Sequence, residues 1–451
     1  MKMSRSLSGT ERISVVGLGK LGLCLASCFA EAGFETLGVD IDPGVVNDVN
    51  HGIAPWFEPG LDEILTRQGG KRLRATLRHR EAIDDTDITV VMMATPSDPN
   101  GSYSNRFIES ALISLAEAFG KSKKEFHLFV ISSTVMPGST EASFIPILEQ
   151  YSGKKLNTDF AVCYNPEFAA LGNVINGFRR PDLVVIGESM PAAGARLEAV
   201  HNQVCRNQPL ISHMSIVSAE LAKVCLNAYI TTKISFVNSV ANLCERIPGA
   251  DVDAITKAIG ADRRISPSYF QGGLSFGGTC FERDNRAYDA LANTYGVQAD
   301  IINAVERVNK LQDKYVAEMV LREVEVLKNK TVGILGLAFT PDTPVITSSP
   351  AIKLIEALLK NSVSVVAYDP LALDNAKSLF GSAVEFAPSA ARCLERSGIC
   401  IVTLRNPDLK EAVERFVPAA VLTVVDCWRM IDAAKLNERI TYIPLWRHRN
   451  A

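Results

Sequence analysis

Short apolar runs alternate with amphipathic stretches through the first half of the chain, and this restricts the fold more than any other feature. The runs fall at residues 13–16, 35–39, 88–93, 126–131, 160–163 and 183–186. Each has strand length and leads into helical spacing, the pattern of a mostly parallel sheet with helices on both faces. From Val217 to about Leu327 the strand signals vanish, and helical patterns at 219–245 and 297–328 take over. Runs return at 331–335, 363–368, 399–404 and 421–425, separated by helical stretches such as 350–359. The second series opens Val332-Gly333-Ile334-Leu335-Gly336, echoing Val15-Val16-Gly17-Leu18-Gly19, and Tyr368-Asp369-Pro370 echoes Val39-Asp40-Ile41-Asp42-Pro43. A distant internal repeat follows from that echo.

At 451 residues the chain is too long for one hydrophobic core. The expected architecture is α/β: two Rossmann-like, doubly wound domains joined by a central helical region, divided at 1–211, 212–328 and 329–451. A net charge of -3 with 22% charged residues argues against a nucleic-acid or polyanion surface. Residues 1–12 are polar and lack the apolar core of a signal peptide. No later stretch supplies the roughly 18 consecutive apolar residues of a membrane span. The chain is therefore expected in the cytoplasm, without a membrane partner. Ten cysteines are scattered with no CxxC pair and no histidine cluster, so no metal site is expected.

Gly17, Gly19 and Gly22 form G-x-G-x-x-G between a strand signal and a helical pattern at 21–32. In that context the glycines allow a tight turn and let a pyrophosphate approach the amides of a helix N-terminus. Asp40, 18 residues after Gly22 and at the end of the second run, can accept hydrogen bonds from a ribose diol and repel a 2′-phosphate. NAD is the cofactor this predicts.

Ligands of an open parallel sheet bind beyond the carboxyl ends of its strands. Thr95-Pro96, Ser133-Thr134 and Asn165-Pro166-Glu167 follow apolar runs there, and together they ring one cleft, although each alone reads equally as a cap or turn. In the helical middle, Lys223 and Asn227 are four residues apart and share a helix face. The run from Gly272 to Asp284 places four glycines before Cys280 and a helical pattern after it. A helix N-terminus favours the thiolate form of a cysteine.

These motifs, taken in order, resemble the UDP-glucose/GDP-mannose dehydrogenase family over essentially the whole length: the glycine fingerprint, Ser133-Thr134-Val135, Asn165-Pro166-Glu167-Phe168, Lys223 with Asn227, Phe276-Gly277-Gly278-Thr279-Cys280-Phe281 and Asp284. The resemblance implies NAD-dependent oxidation of a nucleotide-sugar C6 alcohol to the acid by a homodimer or higher oligomer. It implies that Lys223 and Asn227 bind the C6 oxygen, that Asp284 positions a proton-accepting water, and that Cys280 captures the aldehyde. Glu167, assisted by Thr134, then activates the hydrolytic water. It further places Leu18, Thr95 and Arg283 at the cofactor. Phe168, Tyr269, Gly273, Phe276, Gly277, Phe339 and Arg429 fall at the substrate, with Arg264 reaching a neighbouring subunit's site.

Departures from the family pattern concern binding charges. Leu171 stands where a carboxylate is expected, Thr340 and Arg283 where lysines are, and Thr347-Ser348-Ser349-Pro350 replaces Arg-Glu-Ser-Pro. Phe168 speaks against an N-acetyl-hexosamine substrate and Phe281 favours UDP-glucose over GDP-mannose, so UDP-glucose is expected first and another nucleotide hexose next. Two rivals stand beside this reading: a two-electron hydroxyacyl or phosphogluconate type of dehydrogenase, and a degenerate NAD-binding regulatory protein.

Overall fold

The apolar runs become the inner strands of two sheets. The computed structural model describes residues 11–448, so the polar segment 1–10 used in the signal-peptide argument lies outside the described residues. The chain divides into two compact units, the first ending at Cys225 and the second beginning at Leu226, inside the helix Ile216–Cys244.

The first unit contains β1 (Arg12–Val16), β2 (Glu35–Val39), β3 (Leu73–Thr76), β4 (Ile88–Val91), β5 (His127–Ile131), β6 (Phe160–Tyr164), β7 (Leu183–Glu188) and β8 (Leu210–Met214). They form one sheet in the order β3-β2-β1-β4-β5-β6-β7-β8. Every pairing is parallel except β6 with β7. Alternate residues feed two cores. Val15, Leu128, Val130 and Cys163 pack on one face with the helix Lys20–Glu31, while Val16, Phe129, Ile131 and Val162 pack on the other with Arg106–Lys121. This two-sided burial is why the central strands read as continuous apolar runs. The strands without a sequence signal, β3 and β8, are the sheet's two edges, and β8 has no buried residue.

The second unit holds β9 (Val332–Leu335), β10 (Val365–Tyr368), β11 (Glu385–Phe386), β12 (Ile399–Val402), β13 (Leu422–Asp426) and β14 (Ile440–Pro444). Their order, β11-β10-β9-β12-β13-β14, repeats that of the first six strands with all pairings parallel. The sequence echo is thus a topological repeat. Ahead of this sheet come the helices Val252–Gly260, Phe281–Thr294 and Asp300–Glu325. Among the described residues no helix is long and apolar enough to cross a membrane.

The repeat is not used alike in both halves. Asp40 is half-buried and accepts from Leu18 N (2.7 Å) and Asp42 N (3.0 Å), which leaves lone pairs on both oxygens. Asp369, only 2% exposed, accepts from Leu337 N (2.7 Å), Ala338 N (3.1 Å), Leu371 N (2.8 Å) and Ala372 N (2.7 Å). It serves as an internal lock for the turn after β9, whereas Asp40 still has capacity for a ligand. Asp369→Ala should lower stability by about 3 kcal/mol, since each buried donor left unsatisfied costs roughly 1–3 kcal/mol, and Asp40→Ala by about 1 kcal/mol. Urea-unfolding midpoints measure both, and equal losses would contradict the difference in role.

Candidate active site

Steric demands distinguish the three glycines after β1. Gly17 has φ +93°, and a Cβ there would lie 2.4 Å from Met92 O; at Gly22 it would lie 1.9 Å from Gly17 O. Gly19 caps the helix Lys20–Glu31, and a Cβ there would meet nothing within 4 Å. Space is therefore open over the helix N-terminus, which has no side-chain cap and no acidic residue in its first turn. That combination suits a pyrophosphate. The turn lies where β1 pairs β2 on one side and β4 on the other, at the reversal of strand order.

The polar residues after β4, β5 and β6 separate by role. Ser133 is buried and its Oγ bridges Met93 N (2.7 Å) and Met93 O (2.9 Å), tying the two strand ends together. Thr95 is buried and Thr134 half-buried. Asn165, expected at the cleft rim, turns inward instead. Its Nδ2 donates to Val185 O (2.9 Å) and its Oδ1 meets His201 Nε2 (2.8 Å), tying the end of β6 to β7 and to the helix Pro191–Val204.

Glu167 folds back so that Oε1 accepts from Phe168 N and Ala169 N, both at 2.8 Å. Burial pushes its carboxyl above the usual range against the lowering by these two amides and by Lys223. Lys223 is only 7% exposed; its Nζ donates to Glu167 O at 2.6 Å and lies 4.8 Å above the Phe168 ring. Two buried acids unmarked in the sequence support this corner. Glu58 accepts from Gly172 N (3.0 Å) and Val174 N (2.8 Å), fixing the segment that follows Phe168. Glu220, three residues before Lys223, accepts from Gly138 N (2.5 Å) and from Thr140 N (3.0 Å) and Oγ1 (2.6 Å). Both pairings join residues at least 80 positions apart, and no local pattern announces them.

In the second unit, Cys280 is the N-cap residue of Phe281–Thr294, and among the ten cysteines it alone is exposed. Asp284, one turn on, has no exposed surface. Its Oδ2 accepts from Asn227 Nδ2 (2.6 Å) and its Oδ1 from Arg283 Nε (2.9 Å). Arg283, expected at the cofactor, thus lies on the carboxylate beside it. Phe276 is buried and clamped by Asn309, whose Oδ1 accepts from Phe276 N (2.8 Å) and whose Nδ2 donates to Phe276 O (3.1 Å). A Cβ on Gly273 would lie 2.2 Å from the Trp428 ring, on Gly277 2.1 Å from Ser348 O, and on Gly278 2.6 Å from the Phe339 ring. Close packing therefore demands these glycines within this unit. Tyr269 is half-exposed, with its ring edge-on to Phe281. Arg264 has an 87% exposed side chain paired with Asp262 at 2.7 Å.

Arg429 corrects the sequence expectation of a substrate ligand. Its side chain is 1% exposed, and all its N–H groups point inward: Nε and Nη2 to Asp253 (2.8 and 2.9 Å), Nη2 also to Gly272 O (2.7 Å), and Nη1 to Cys427 O (3.4 Å) and Leu445 O (3.2 Å). With five donors committed it holds the segment after β13 against the helix Val252–Gly260, and none remains for a ligand.

Comparison with known proteins places these clusters. Residues 11–205 match the NAD binding domain of the UDP-glucose/GDP-mannose dehydrogenase family, 217–311 its central domain and 333–433 its UDP binding domain. The UDP-glucose 6-dehydrogenase AglM of Haloferax volcanii is 35% identical over 421 residues, 93% of this chain and 97% of its own. The GDP-mannose 6-dehydrogenase of Azotobacter vinelandii is 33% identical over 362 residues, 79% of this chain and 81% of its own. A UDP-glucose dehydrogenase from Pyrobaculum islandicum superimposes with a TM-score of 0.88 at 31% identity, covering 98% of each chain.

The glycine geometry makes a separable prediction. Gly19→Ala should leave thermal stability near that of the parent, within about 0.5 kcal/mol as for an uncrowded surface change, yet weaken NAD binding. Gly22→Ala should lower stability itself by about 1–3 kcal/mol, the scale of overpacking. Calorimetric titration with NAD and thermal melts separate the two, and undiminished NAD affinity in Gly19→Ala would remove the pyrophosphate from this turn.

Proposed function

The chain belongs to the UDP-glucose/GDP-mannose dehydrogenase family as an NAD-dependent nucleotide-sugar 6-dehydrogenase, and from that premise we propose a four-electron oxidation of UDP-glucose to UDP-glucuronate through Cys280. The observation that carries this reading is Cys280, exposed at a helix N-terminus one turn before the buried Asp284–Asn227 pair. Bound NAD supplies the hydride acceptor at each oxidation. The residues that would hold it are Gly17, Leu18, Gly19, Gly22, Asp40, Thr95 and Thr134. Our working division of the chain is 1–211 for the cofactor, 212–328 for the catalytic helices and 329–451 for the nucleotide of the sugar.

Lys223, a buried cation, offsets negative charge on the C6 oxygen while Asn227 fixes its direction, and Asp284 orients the water that takes the hydroxyl proton. The thiol sulfur of Cys280 adds to the aldehyde carbon, forming a C–S bond and a hydroxyl. Loss of a second hydride turns this thiohemiacetal into a thioester. Water adds to the thioester carbon, its proton passes to Glu167, and the C–S bond breaks to return Cys280. The raised proton affinity of Glu167 suits that task. Capture at sulfur keeps the aldehyde from escaping.

Dimerisation has support in the long helix Ile216–Cys244, where Tyr229, Phe236 and Leu243 recur every seventh residue and remain more than half exposed. Such a stripe suits a second copy of the same helix. Arg264, whose side chain is 87% exposed and pairs with Asp262, would reach a neighbour's sugar in such a dimer. The altered positions Leu171, Thr340 and Thr347 favour a second reading in substrate only, another nucleotide hexose handled by the same chemistry.

Counting NADH per sugar tests the proposal. Purified protein with NAD and a panel of nucleotide sugars should release two NADH per UDP-glucose consumed, and Cys280→Ala should lose nearly all acid formation. One NADH per sugar would leave a simple two-electron dehydrogenase as the better account.

A further inference from the structure

Cys280 sits between two segments that are tied to a single ammonium. Downstream, Glu282 in the first turn of Phe281–Thr294 pairs through Oε1 with Lys353 Nζ at 2.7 Å, and its Oε2 accepts from Ser348 Oγ at 2.8 Å. Upstream, Ser275 donates its hydroxyl to Asp313 Oδ1, and Asp313 Oδ2 meets the same Lys353 Nζ at 3.1 Å. Between them Gly278 N donates to Thr347 O at 3.1 Å, and the backbone at Gly277 is pressed against Ser348 O. Lys353 lies on the helix Pro350–Lys360, which opens with Ser349 as its N-cap, so it is anchored to the sheet of the second unit. The three charged side chains are partly buried, at 21–28% exposure, where a shared cation organises two carboxylates more firmly than on an open surface.

None of these groups has a part in the bond-making steps above. They account instead for where the thiol is held. We propose that Lys353 and Glu282 are positioning residues for Cys280, clamping the turn that carries the thiol from both sides. The inference rests on the reading of Cys280 as the nucleophile. It adds that the geometry of attack is set by a helix of the nucleotide-binding half, through charge, at a distance from the reacting atoms. Its consequence is selective: the clamp serves the oxidation that passes through sulfur and leaves the first hydride removal alone.

The experiment uses the full-length protein in four forms: parent, Lys353→Met, Glu282→Gln and Lys353→Arg. Alkylation of Cys280 by iodoacetamide, followed by peptide mass spectrometry in the absence of any sugar, reads the placement of the thiol directly. Rapid-mixing kinetics with NAD and UDP-glucose then read the first NADH separately from acid formation. Lys353→Met and Glu282→Gln should alter the Cys280 alkylation rate and slow acid formation roughly ten- to a hundredfold, the scale for a displaced reacting group, while the first NADH forms at the parent rate. Lys353→Arg, which keeps the cation, should recover most of the loss. Parent-like alkylation and acid formation in both Lys353→Met and Glu282→Gln would overturn the proposal. Should Lys353→Met fail to fold by near-ultraviolet circular dichroism, Glu282→Gln decides, since it removes the charge and keeps the shape. Full acid formation by Cys280→Ala would defeat the underlying reading instead, and the alkylation rates would still judge the clamp.

Discussion

A carboxylate with no exposed surface must be given donors or it unfolds its surroundings, and Asp284 is the group whose needs organise the second unit's chemistry. Leaving such a charge unpaired would cost several kcal/mol. Asn227 and Arg283 supply the donors, and the Asn227 bond, with that of Thr231 Oγ1 to Asn285 Oδ1 at 3.0 Å, ties the helix Phe281–Thr294 to the helix Ile216–Cys244. Cys280 stands one turn before that lock, and its exposure follows from capping the helix rather than lying within it. Asp284 and Asn285 together fix the register of the helix that Cys280 caps.

The first unit meets its electrostatic needs differently. Lys223 is buried, donates to the Glu167 carbonyl and lies over the Phe168 ring, so polar and π groups surround its charge. Glu167, satisfied at one oxygen by two amides, keeps the other for a different partner. Buried acids at Glu58 and Glu220 then fix the loops around them. Catalytic polarity here is supported by further buried polarity, and the loops gain rigidity from it.

Much of this was legible in the residue order. Central strands announced themselves because burial on both faces makes them apolar throughout, and β2 was bounded to the residue. Edge strands β3 and β8 did not, since one side of each is wet and their composition is mixed. Gly17, Gly19 and Gly22 were marked by spacing, yet only coordinates separate the glycine that leaves room for a ligand from those that avoid a clash. Arg429 misled for a related reason. A cation in a loop after a strand suits a phosphate or a buried carboxylate equally, and Asp253, 176 residues away, is the partner that decides. The Lys353–Glu282–Asp313 clamp was invisible because its members are distant in sequence and individually resemble solvated charges.

The central claim is that the sugar becomes covalently attached to Cys280 during turnover. Intact-protein and peptide mass spectrometry of Glu167→Gln, incubated with NAD and UDP-glucose, measures it most directly. With hydrolysis slowed, the account predicts an adduct of one UDP-sugar acyl group located on the peptide that contains Cys280. Full acid production by this variant with no adduct on that cysteine would contradict the covalent route and leave oxidation of a hydrated aldehyde in its place.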